Sequence, residues 1–243
     1  MAFAPHSSSP EIPNLVALTG AGISVESGLG TFRGGDALCS SYSFERKMTR
    51  QVWERDPEVV LELYNRRRAE LEKVQPNEAH RILAELEQRY RVTVITQNID
   101  DLHERAGSSN VIHLHGSLCQ ARSVKDEAHV VDIGYRPIYL GDLCPAGGQL
   151  RPNVVWFGEN VLYLQEAAEA FSRADLCIVV GTSLQVQPAA ALLDFLPDEA
   201  RVYVVDPSPP RQFKEGRKMR LFKSNAVAGM REIRNELDRL YRG

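Results

Sequence analysis

The sequence predicts an α/β fold built on a doubly wound parallel sheet, and two features support this prediction. Four short runs rich in Val, Ile and Leu are apolar on both faces, as buried parallel strands are, namely Asn14–Thr19, Val92–Thr96, Leu176–Gly181 and Val202–Asp206. Stretches with helical spacing separate or follow these runs, namely Pro57–Val74, Glu78–Tyr90, Gln165–Arg173, Ala189–Phe195 and Val227–Tyr241. Strands that alternate with helices in this way are typical of a sheet covered by helices on both sides.

Length and composition fit one large domain with a smaller insert. The chain has 243 residues, of which 43% are apolar and 25% are charged, and its net charge is −3. This balance is that of a soluble globular protein and does not favour direct binding to nucleic acid. The four cysteines form no C-x-x-C pair, so we expect a reducing compartment, the cytoplasm or alternatively the mitochondrial matrix. No apolar run approaches the roughly 20 residues of a membrane-spanning helix, and we interpret residues 1–13 as a flexible tail without a targeting signal.

Two regions interrupt the alternation and predict a small inserted domain. Residues 34–77 combine polar residues with helical patches, and residues 117–151 carry glycines and prolines in an irregular pattern. We expect these two regions to form the small domain, while 14–33, 78–116 and 152–243 form the large domain with the sheet.

A glycine-rich turn follows the first predicted strand. Gly20, Gly22 and Ser24 come directly after Asn14–Thr19, although their spacing is not G-x-G-x-x-G. Glycines at a strand-to-helix turn let the backbone approach a pyrophosphate. Taken alone, the same residues also fit a tight turn in which Ser24 caps a helix.

Further motifs follow along the chain. They are Thr31-Phe32-Arg33, Thr96-Gln97-Asn98-Ile99-Asp100, His115-Gly116, Val155-Trp156-Phe157-Gly158-Glu159 and Gly181-Thr182-Ser183. Together with the glycine-rich turn, these motifs resemble the sirtuins, the NAD-dependent protein lysine deacylases, from about Asn14 into the final helix. Two further segments, Arg55–Pro57 and Tyr64–Arg68, look most like the desuccinylase branch of bacteria and mitochondria.

The resemblance implies a Rossmann-type domain and a small domain made of a helical module and a zinc-ribbon module. NAD and an acyl-lysine protein or peptide would meet in the cleft between them. The residues implied to contact NAD are Gly20, Ala21, Gly22, Ser24, Phe32, Arg33, Gln97, Asn98, Ile99, Asp100, Gly181, Thr182, Ser183, Asp206 and Ala226. A carboxamide and a carboxylate such as Asn98 and Asp100 can hold the nicotinamide amide and ribose hydroxyls, although Asp100 also fits a helix cap for residues 101–106.

The resemblance selects His115 as the general base, with Asn98 and Asp100 completing the catalytic residues. A neutral imidazole can accept a proton near neutral pH, and here it would deprotonate a ribose hydroxyl so that the acyl group moves onto the 2′-oxygen. The implied products are nicotinamide, free lysine and 2′-O-acyl-ADP-ribose. Three other histidines are interpreted as structural: His80, His103 and His113.

The resemblance also predicts how the substrate binds. The residues that would pair with the peptide backbone as an added strand are Val154, Val155, Trp156, Phe157 and Gly158. Trp156 also fits an ordinary apolar core. Tyr64 and Arg67 lie three residues apart in a predicted helix, so their side chains share a face. They resemble the pair with which desuccinylase-type sirtuins hold an acidic acyl chain, so we expect succinyl-, malonyl- or glutaryl-lysine to be preferred over acetyl-lysine. We interpret Arg66 and Arg68 as a solvated basic face.

The sequence departs from the family where the zinc site should lie. Tetrahedral zinc needs four ligands, here two pairs of cysteines, but three of the four are missing. The expected positions fall near Ser123, Asp126, Gly141 or Leu143, and Cys144. We predict that this module is held by packing and carries no zinc. Gly30 and the pair Gly34-Gly35 predict a more flexible cofactor loop.

Two alternatives to the deacylase stay open at this point. One is a mono-ADP-ribosyltransferase, and the other is a catalytically inactive NAD-sensing module, which the missing cysteines make conceivable. The presence of Asn98, Asp100 and His115 favours the deacylase.

Overall fold

The computed structural model describes residues 12–30, 49–184, 187–209 and 218–242. Phe32, Arg33 and the Gly34-Gly35 pair lie outside these ranges, as do residues 1–11 of the predicted tail. No helix within the described ranges is long and apolar enough to cross a membrane.

A parallel sheet of six strands organises the fold, and its strands lie side by side in the order Val111–His113, Arg91–Thr96, Asn14–Thr19, Leu176–Val180, Arg201–Val205 and Met219–Phe222. The strands of the described residues are β1 (Asn14–Thr19), β2 (Arg91–Thr96), β3 (Val111–His113), β4 (Gly116–Ser123), β5 (Val130–Asp132), β6 (Leu150–Val154), β7 (Leu176–Val180), β8 (Arg201–Val205) and β9 (Met219–Phe222). Leu15 of β1 lies opposite Val92 on one side and Leu176 on the other. The strand order reverses between β1 and β7, and open α/β sheets bind ligands at the carboxyl ends of the strands at such a point.

Helices cover both faces of this sheet. The α-helices of the described residues are α1 (Arg50–Arg55), α2 (Pro57–Lys73), α3 (Glu78–Leu86), α4 (Leu102–Ala106), α5 (Leu164–Ser172) and α6 (Ala226–Arg242). Leu15 and Ala17 point to one face and join a core with α3 and α6. Val16 and Leu18 point to the other face and pack with α5. Alternate residues of a strand face opposite sides, so β1 is buried on both, and the predicted doubly wound α/β fold is confirmed.

Residues 116–154 contain an antiparallel sheet of order β5-β4-β6. The prediction that 117–151 is irregular is therefore wrong for these strands. Their sequences, GSLCQARS for β4 and LRPNV for β6, mix polar and apolar residues without alternation, and a proline inside a run argues against a strand. Helix α2 closes this module by packing Leu61 against Ala121 and Ile138.

Several boundaries differ from the predicted ones. The helix expected over 78–90 ends at Leu86, and the stretch Ala189–Phe195 forms a 3₁₀ helix rather than an α-helix. The glycine-rich turn after β1 also leads into a 3₁₀ helix, Ala21–Ser27. The strands β3 and β9 are only 3 and 4 residues long, too short to give a clear pattern.

Candidate active site

The glycine-rich turn after β1 packs directly against the turn after β7. Gly20 N donates to Val180 O at 3.1 Å, and Gly22 N donates to Gly181 O at 2.8 Å. A Cβ atom on Gly22 would lie 2.6 Å from Gly181 Cα, and Gly181 itself has a φ of +67°. Only glycine tolerates both the contact and the left-handed backbone. The two turns therefore form a floor of backbone atoms that carry no side chains at these glycines, at the point where the strand order reverses.

A buried hydrogen-bond network joins this floor to the loop after β2. The hydroxyl of Ser24 donates to Asp100 Oδ2 at 3.0 Å, and no side chain caps the 3₁₀ helix, so the interpretation of Ser24 as a cap is wrong. Asn98 Nδ2 donates to Gly20 O at 3.2 Å. Leu102 N donates to Asp100 Oδ1 at 3.2 Å, so Asp100 also supports the start of α4.

Burial disfavours the ionised form of Asp100. Burial raises the pKa of Asp100 to about 6, although the hydrogen bonds from Leu102 N and the Ser24 hydroxyl oppose the rise. A buried carboxyl with a perturbed pKa is typical of a functional site. The Asp100 carboxylate supplies acceptors and the neighbouring Asn98 amide supplies a donor and an acceptor, and such groups can hold a carboxamide.

His115 stands between β3 and β4 with one ring nitrogen fixed. Its Nδ1 lies 2.9 Å from Gln97 O, so Nδ1 carries the hydrogen and Nε2 is left as the acceptor. Burial lowers the pKa of His115, and the Gln97 carbonyl opposes that shift only in part. The imidazole is therefore neutral at pH 7, as a general base must be. Gln97 Nε2 in turn donates to Thr182 Oγ1 at 2.9 Å, which ties the loop after β2 to the loop after β7.

The histidines interpreted as structural make contacts that fit that role. His113 Nδ1 lies 2.9 Å from Asn98 O, and its Nε2 lies 2.7 Å from Glu104 Oε1. His103 Nε2 contacts Thr19 Oγ1 at 2.9 Å, and its ring packs edge-on against His80. His113 thus fixes the backbone that carries Asn98.

Most predicted site residues line one cleft of about 750 Å³, within the size range of ligand pockets. They are Gly20, Ala21, Gly22, Tyr64, Gln97, Asn98, Ile99, His115, Val154, Val155, Trp156, Phe157, Gly158, Gly181, Thr182, Ser183, Asp206 and Ala226. A small side cavity of about 50 Å³ shares Ala21, Tyr64, Asn98 and Ile99 with the cleft and adds Ser24, Arg67 and Asp100. Every predicted site residue in the described ranges therefore lines one of these two spaces.

The structure adds lining residues that sequence reasoning did not select. In the cleft they are Val25, Glu26, Glu159, Val161, Gln187, Val205, Pro207 and Asn225, and in the side cavity they are Leu29, Gly30, Leu71 and Leu118. Most are apolar or carry no distinctive chemistry. Two are acidic: Glu159 ends the motif Val155–Glu159 but was not selected as a site residue, and the Glu26 carboxylate accepts from Val227 N at 2.8 Å at the start of α6. A lone acidic residue after the glycine-rich turn could have drawn attention to it.

The predicted peptide-pairing segment is largely not a strand. Only Val154 belongs to β6, and Val155 N donates to His115 O at 3.0 Å. Phe157 is 53% exposed in the cleft and forms an isolated parallel bridge with Thr49. Trp156 is fully buried, so it serves as core and as cleft wall together.

Tyr64 and Arg67 face the same side cavity from α2. Trp156 Nε1 donates to Tyr64 Oη at 3.2 Å. Burial raises the pKa of Tyr64, so the phenol keeps its proton. Arg67 Nη1 lies 3.3 Å from Glu70 Oε2, in a pair whose glutamate side chain is 49% exposed.

The interpretation of Arg68 as a solvated residue is wrong. Arg68 is completely buried, donating from Nε to Leu118 O and from Nη1 to Asn65 Oδ1, both at 2.7 Å. Burial lowers its pKa to about 10. Arg68 lies one helical turn after Tyr64, on the buried face of α2, whereas Arg66 is exposed beside Glu62 as expected. The spacing of the apolar residues could have placed Arg68 on that face.

The residues at the expected zinc positions do not fit a tetrahedral zinc site. The Cys144 thiol donates to Ser123 Oγ at 3.2 Å, and Gly148 N donates to Cys144 Sγ at 3.3 Å. Ser123 Oγ also accepts from Lys125 N and Asp126 N at 3.1 and 3.3 Å. Within the described ranges no three His, Cys, Asp or Glu side chains are grouped as metal ligands. That this module carries no zinc stays a prediction.

The fold and the site define a class. A parallel sheet with a bare glycine floor at its switch point, beside a neutral histidine and a buried amide–carboxyl pair, is a Rossmann-like nucleotide-binding arrangement.

Comparisons with known proteins identify the family. The model of the Sir2 family matches residues 20–188. A relative from Bacteroides thetaiotaomicron named NAD-dependent protein deacylase is 43% identical over 236 residues, covering 92% of this chain and 97% of the relative. A protein of the same name from Helicobacter pylori is 50% identical over 194 residues, covering 80% and 84%. The chain therefore belongs to the Sir2 family, the sirtuins, whose curated relatives are NAD-dependent deacylases, and this confirms the predicted family and enzyme class.

Solved structures agree with this assignment. A serine-to-alanine mutant of a Sir2 homologue in complex with ADP-ribose superposes with a TM-score of 0.84 at 38% identity, covering 94% of this chain and 93% of that one. A complex of a Sir2 homologue with NAD gives 0.82 at 39% identity, covering 93% and 90%. The likeness to the desuccinylase branch stays a prediction.

Proposed function

We propose that this protein removes acyl groups from protein lysines in an NAD-dependent reaction, with acidic acyl chains preferred. The observation that carries the proposal is the meeting of His115, the Asn98–Asp100 pair and the Tyr64–Arg67 pair at one cleft and its side cavity. The names of the curated relatives support the deacylase part.

The residues present fit a bound NAD. The Gly20–Gly22 turn and Gly181 leave backbone without side chains where phosphates could approach. Asp206, directly after β8, is placed to accept from a ribose hydroxyl. When bound, NAD supplies an anomeric carbon that becomes electrophilic as nicotinamide departs.

Different side chains of the cleft then have separate roles in binding NAD, in moving a proton and in excluding water. Asn98 is fixed by its bond to Gly20 O and Asp100 by the bond from Leu102 N, and the two side chains would hold the carboxamide and the adjoining hydroxyls of bound NAD. His115 would accept a ribose hydroxyl proton at Nε2, because its Nδ1 hydrogen is directed to Gln97 O. Phe157 and Val155 line the side of the cleft where a substrate peptide would lie, and closing that side excludes water from the reacting carbon.

The acyl preference rests on the side cavity. A guanidinium forks onto a carboxylate while a phenol donates a further hydrogen bond, and Arg67 and Tyr64 face the cavity together. The contact of Arg67 with Glu70 is part-exposed, and such surface pairs are weak. A substrate carboxylate in the cavity can therefore compete with Glu70 for the guanidinium. The resemblance of Tyr64–Arg68 to the desuccinylase branch points the same way.

The test is product analysis with NAD and a succinyl-lysine or acetyl-lysine peptide. We expect nicotinamide, free lysine peptide and 2′-O-acyl-ADP-ribose in equal amounts by mass spectrometry, and a higher kcat/KM for the succinyl peptide. A folded His115→Tyr variant should lose these products. Label transferred from NAD to protein without deacylation would instead support an ADP-ribosyltransferase, and binding of NAD without turnover would support the sensing module.

A further inference from the structure

A chain of contacts leads from the side cavity to the ion pair of Arg151 and Glu159, neither of which lines that cavity. The indole N–H of Trp156 donates to Tyr64 Oη at 3.2 Å. An indole nitrogen is only a donor, so Tyr64 accepts in this bond and its own O–H is left to donate elsewhere. No acceptor for that proton is found in the described ranges, and Tyr64 faces the side cavity. Trp156 thus sets the direction in which the phenol donates.

Trp156 is itself held by Arg151. The guanidinium carbon of Arg151 lies 3.5 Å from the centre of the Trp156 ring, a close cation–π contact. Both side chains are almost completely buried. The Arg151 Nε atom finds no hydrogen-bond partner in the described part of the chain, so the stack and the Nη contacts fix the guanidinium plane.

Glu159 anchors that guanidinium. Arg151 Nη1 and Nη2 donate to Glu159 Oε1 and Oε2 at 2.7 and 2.8 Å, and Nη2 also reaches Val154 O at 2.9 Å. The same carboxylate accepts from Trp156 N at 2.9 Å. A two-pronged contact fixes the plane as well as the position, so the ring of Trp156 has one orientation.

We propose that Arg151, held by Glu159, is a positioning residue for acyl specificity: by fixing Trp156 it aims the Tyr64 hydroxyl at the end of an acidic acyl chain. This inference rests on the acyl preference proposed above. Arg151 does not line the cleft or the side cavity, so its effect on the substrate is exerted through Trp156 and Tyr64.

The chain offers a matched control in Arg122. Its Nη2 donates to the same Glu159 Oε2 at 3.0 Å, and its side chain is 8% exposed, against 6% for Arg151. Among the described cation–π contacts, the cation over the Trp156 ring is Arg151. Arg151→Lys and Arg122→Lys each keep a charge beside Glu159, but only Arg151→Lys removes the planar stack on Trp156.

The experiment measures kcat/KM of the full-length enzyme with succinyl-lysine and acetyl-lysine peptides at saturating NAD. We expect the succinyl-to-acetyl ratio to fall about 3- to 10-fold in Arg151→Lys, the range of one weakened hydrogen bond, mainly through the KM of the succinyl peptide. In Arg122→Lys the ratio should stay within about twofold of wild type. An equal change in both variants, or no change in either, would overturn the positioning role while leaving the acyl preference intact. A wild-type preference for acetyl-lysine would overturn both.

A second variant covers the case in which Arg151→Lys does not fold. Trp156→Phe keeps an aromatic ring under Arg151 but removes the indole N–H that donates to Tyr64 Oη. The succinyl-to-acetyl ratio of kcat/KM should therefore fall by a similar factor. Where both single variants fold, the double variant should show no further fall, because the two changes break one chain of contacts. An unchanged ratio in Trp156→Phe, or additive losses in the double variant, would contradict the proposal.

Discussion

The hydroxyl of Ser24 donates to Asp100 Oδ2 at 3.0 Å, although the two residues lie 76 positions apart in the chain. This bond joins the turn after β1 to the loop after β2 at the carboxyl edge of the sheet. It holds in place a carboxyl group whose ionised form the burial of the site disfavours.

Asp100→Asn should stabilise the protein while reducing activity. The pKa of Asp100 is about 6 in the fold, against about 3.9 for an unfolded aspartate. Because the folded pKa is the higher one, ionisation opposes folding: the penalty is absent below about pH 4 and complete above about pH 6. At pH 7.5 the free energy of unfolding of the variant should be about 1–3 kcal/mol higher than that of the wild type. Its kcat/KM should be about 10- to 100-fold lower, since a charged hydrogen-bond acceptor is lost.

Urea unfolding at pH 7.5 and at pH 4 checks the stability part. The gain of Asp100→Asn should shrink towards zero at the lower pH. Asp132→Asn, which alters an exposed aspartate of β5, is the control and should change neither stability nor activity. Equal gains at both pH values would show that the ionisation of Asp100 is not the cause of the stability change.

Arg67→Met should reduce desuccinylation relative to deacetylation. A charge-assisted hydrogen bond to the substrate carboxylate contributes about 1.5–3 kcal/mol, so the succinyl-to-acetyl ratio of kcat/KM should fall about 10- to 100-fold. Arg66→Met is the matched control, because Arg66 is the adjacent arginine but is 66% exposed beside Glu62. If both variants lowered the ratio equally, Arg67 would be a general surface charge rather than a specificity residue.

Gly116→Ala should abolish activity and cost more stability than Gly134→Ala. Both glycines have positive φ values, +79° and +57°, so each alanine costs about 1–2 kcal/mol of backbone strain. A Cβ on Gly116 would also lie 2.0 Å from Asn153 O, whereas one on Gly134 meets nothing within 4 Å. Relief of that clash must move β4 against β6 and displace His115. The urea midpoints measure the stability losses of the two variants, and kcat/KM measures their activities. Similar stability losses in both variants would show that backbone strain, and not the clash with Asn153 O, determines the loss.

The purified protein should contain no stoichiometric zinc, and a chelator should leave its melting temperature unchanged. Cys144 and Ser123 hydrogen-bond to each other, and Ser123 also accepts from two backbone N–H groups. These bonds connect the segments around Ser123 and Cys144, which four thiolates bound to one zinc ion would otherwise hold together. Elemental analysis and thermal unfolding with and without EDTA measure both quantities. One tightly held zinc per chain, with a lower melting temperature after its removal, would contradict the prediction.

Local sequence determined the strands β1, β2, β7 and β8, because each is a short apolar run buried on both faces. It also indicated the glycine-rich turn after β1, because glycines at a strand-to-helix turn are typical of a phosphate-binding backbone, whereas His115 was selected by the resemblance to the sirtuins. Strands β4 and β6 escaped prediction, since their stability comes from pairing with each other and from packing under α2 rather than from their own pattern.

Tertiary structure alone decided how the site's side chains are connected. Arg68 is charged and sits beside exposed Arg66, yet α2 turns it into the core, where Leu118 O and Asn65 accept its hydrogen bonds. Tyr64 and Trp156 are 92 positions apart, and nothing in either local sequence shows that they share a hydrogen bond. Residue type and spacing along the chain are local properties, whereas burial, pKa and hydrogen-bond direction depend on which distant groups the fold brings into contact.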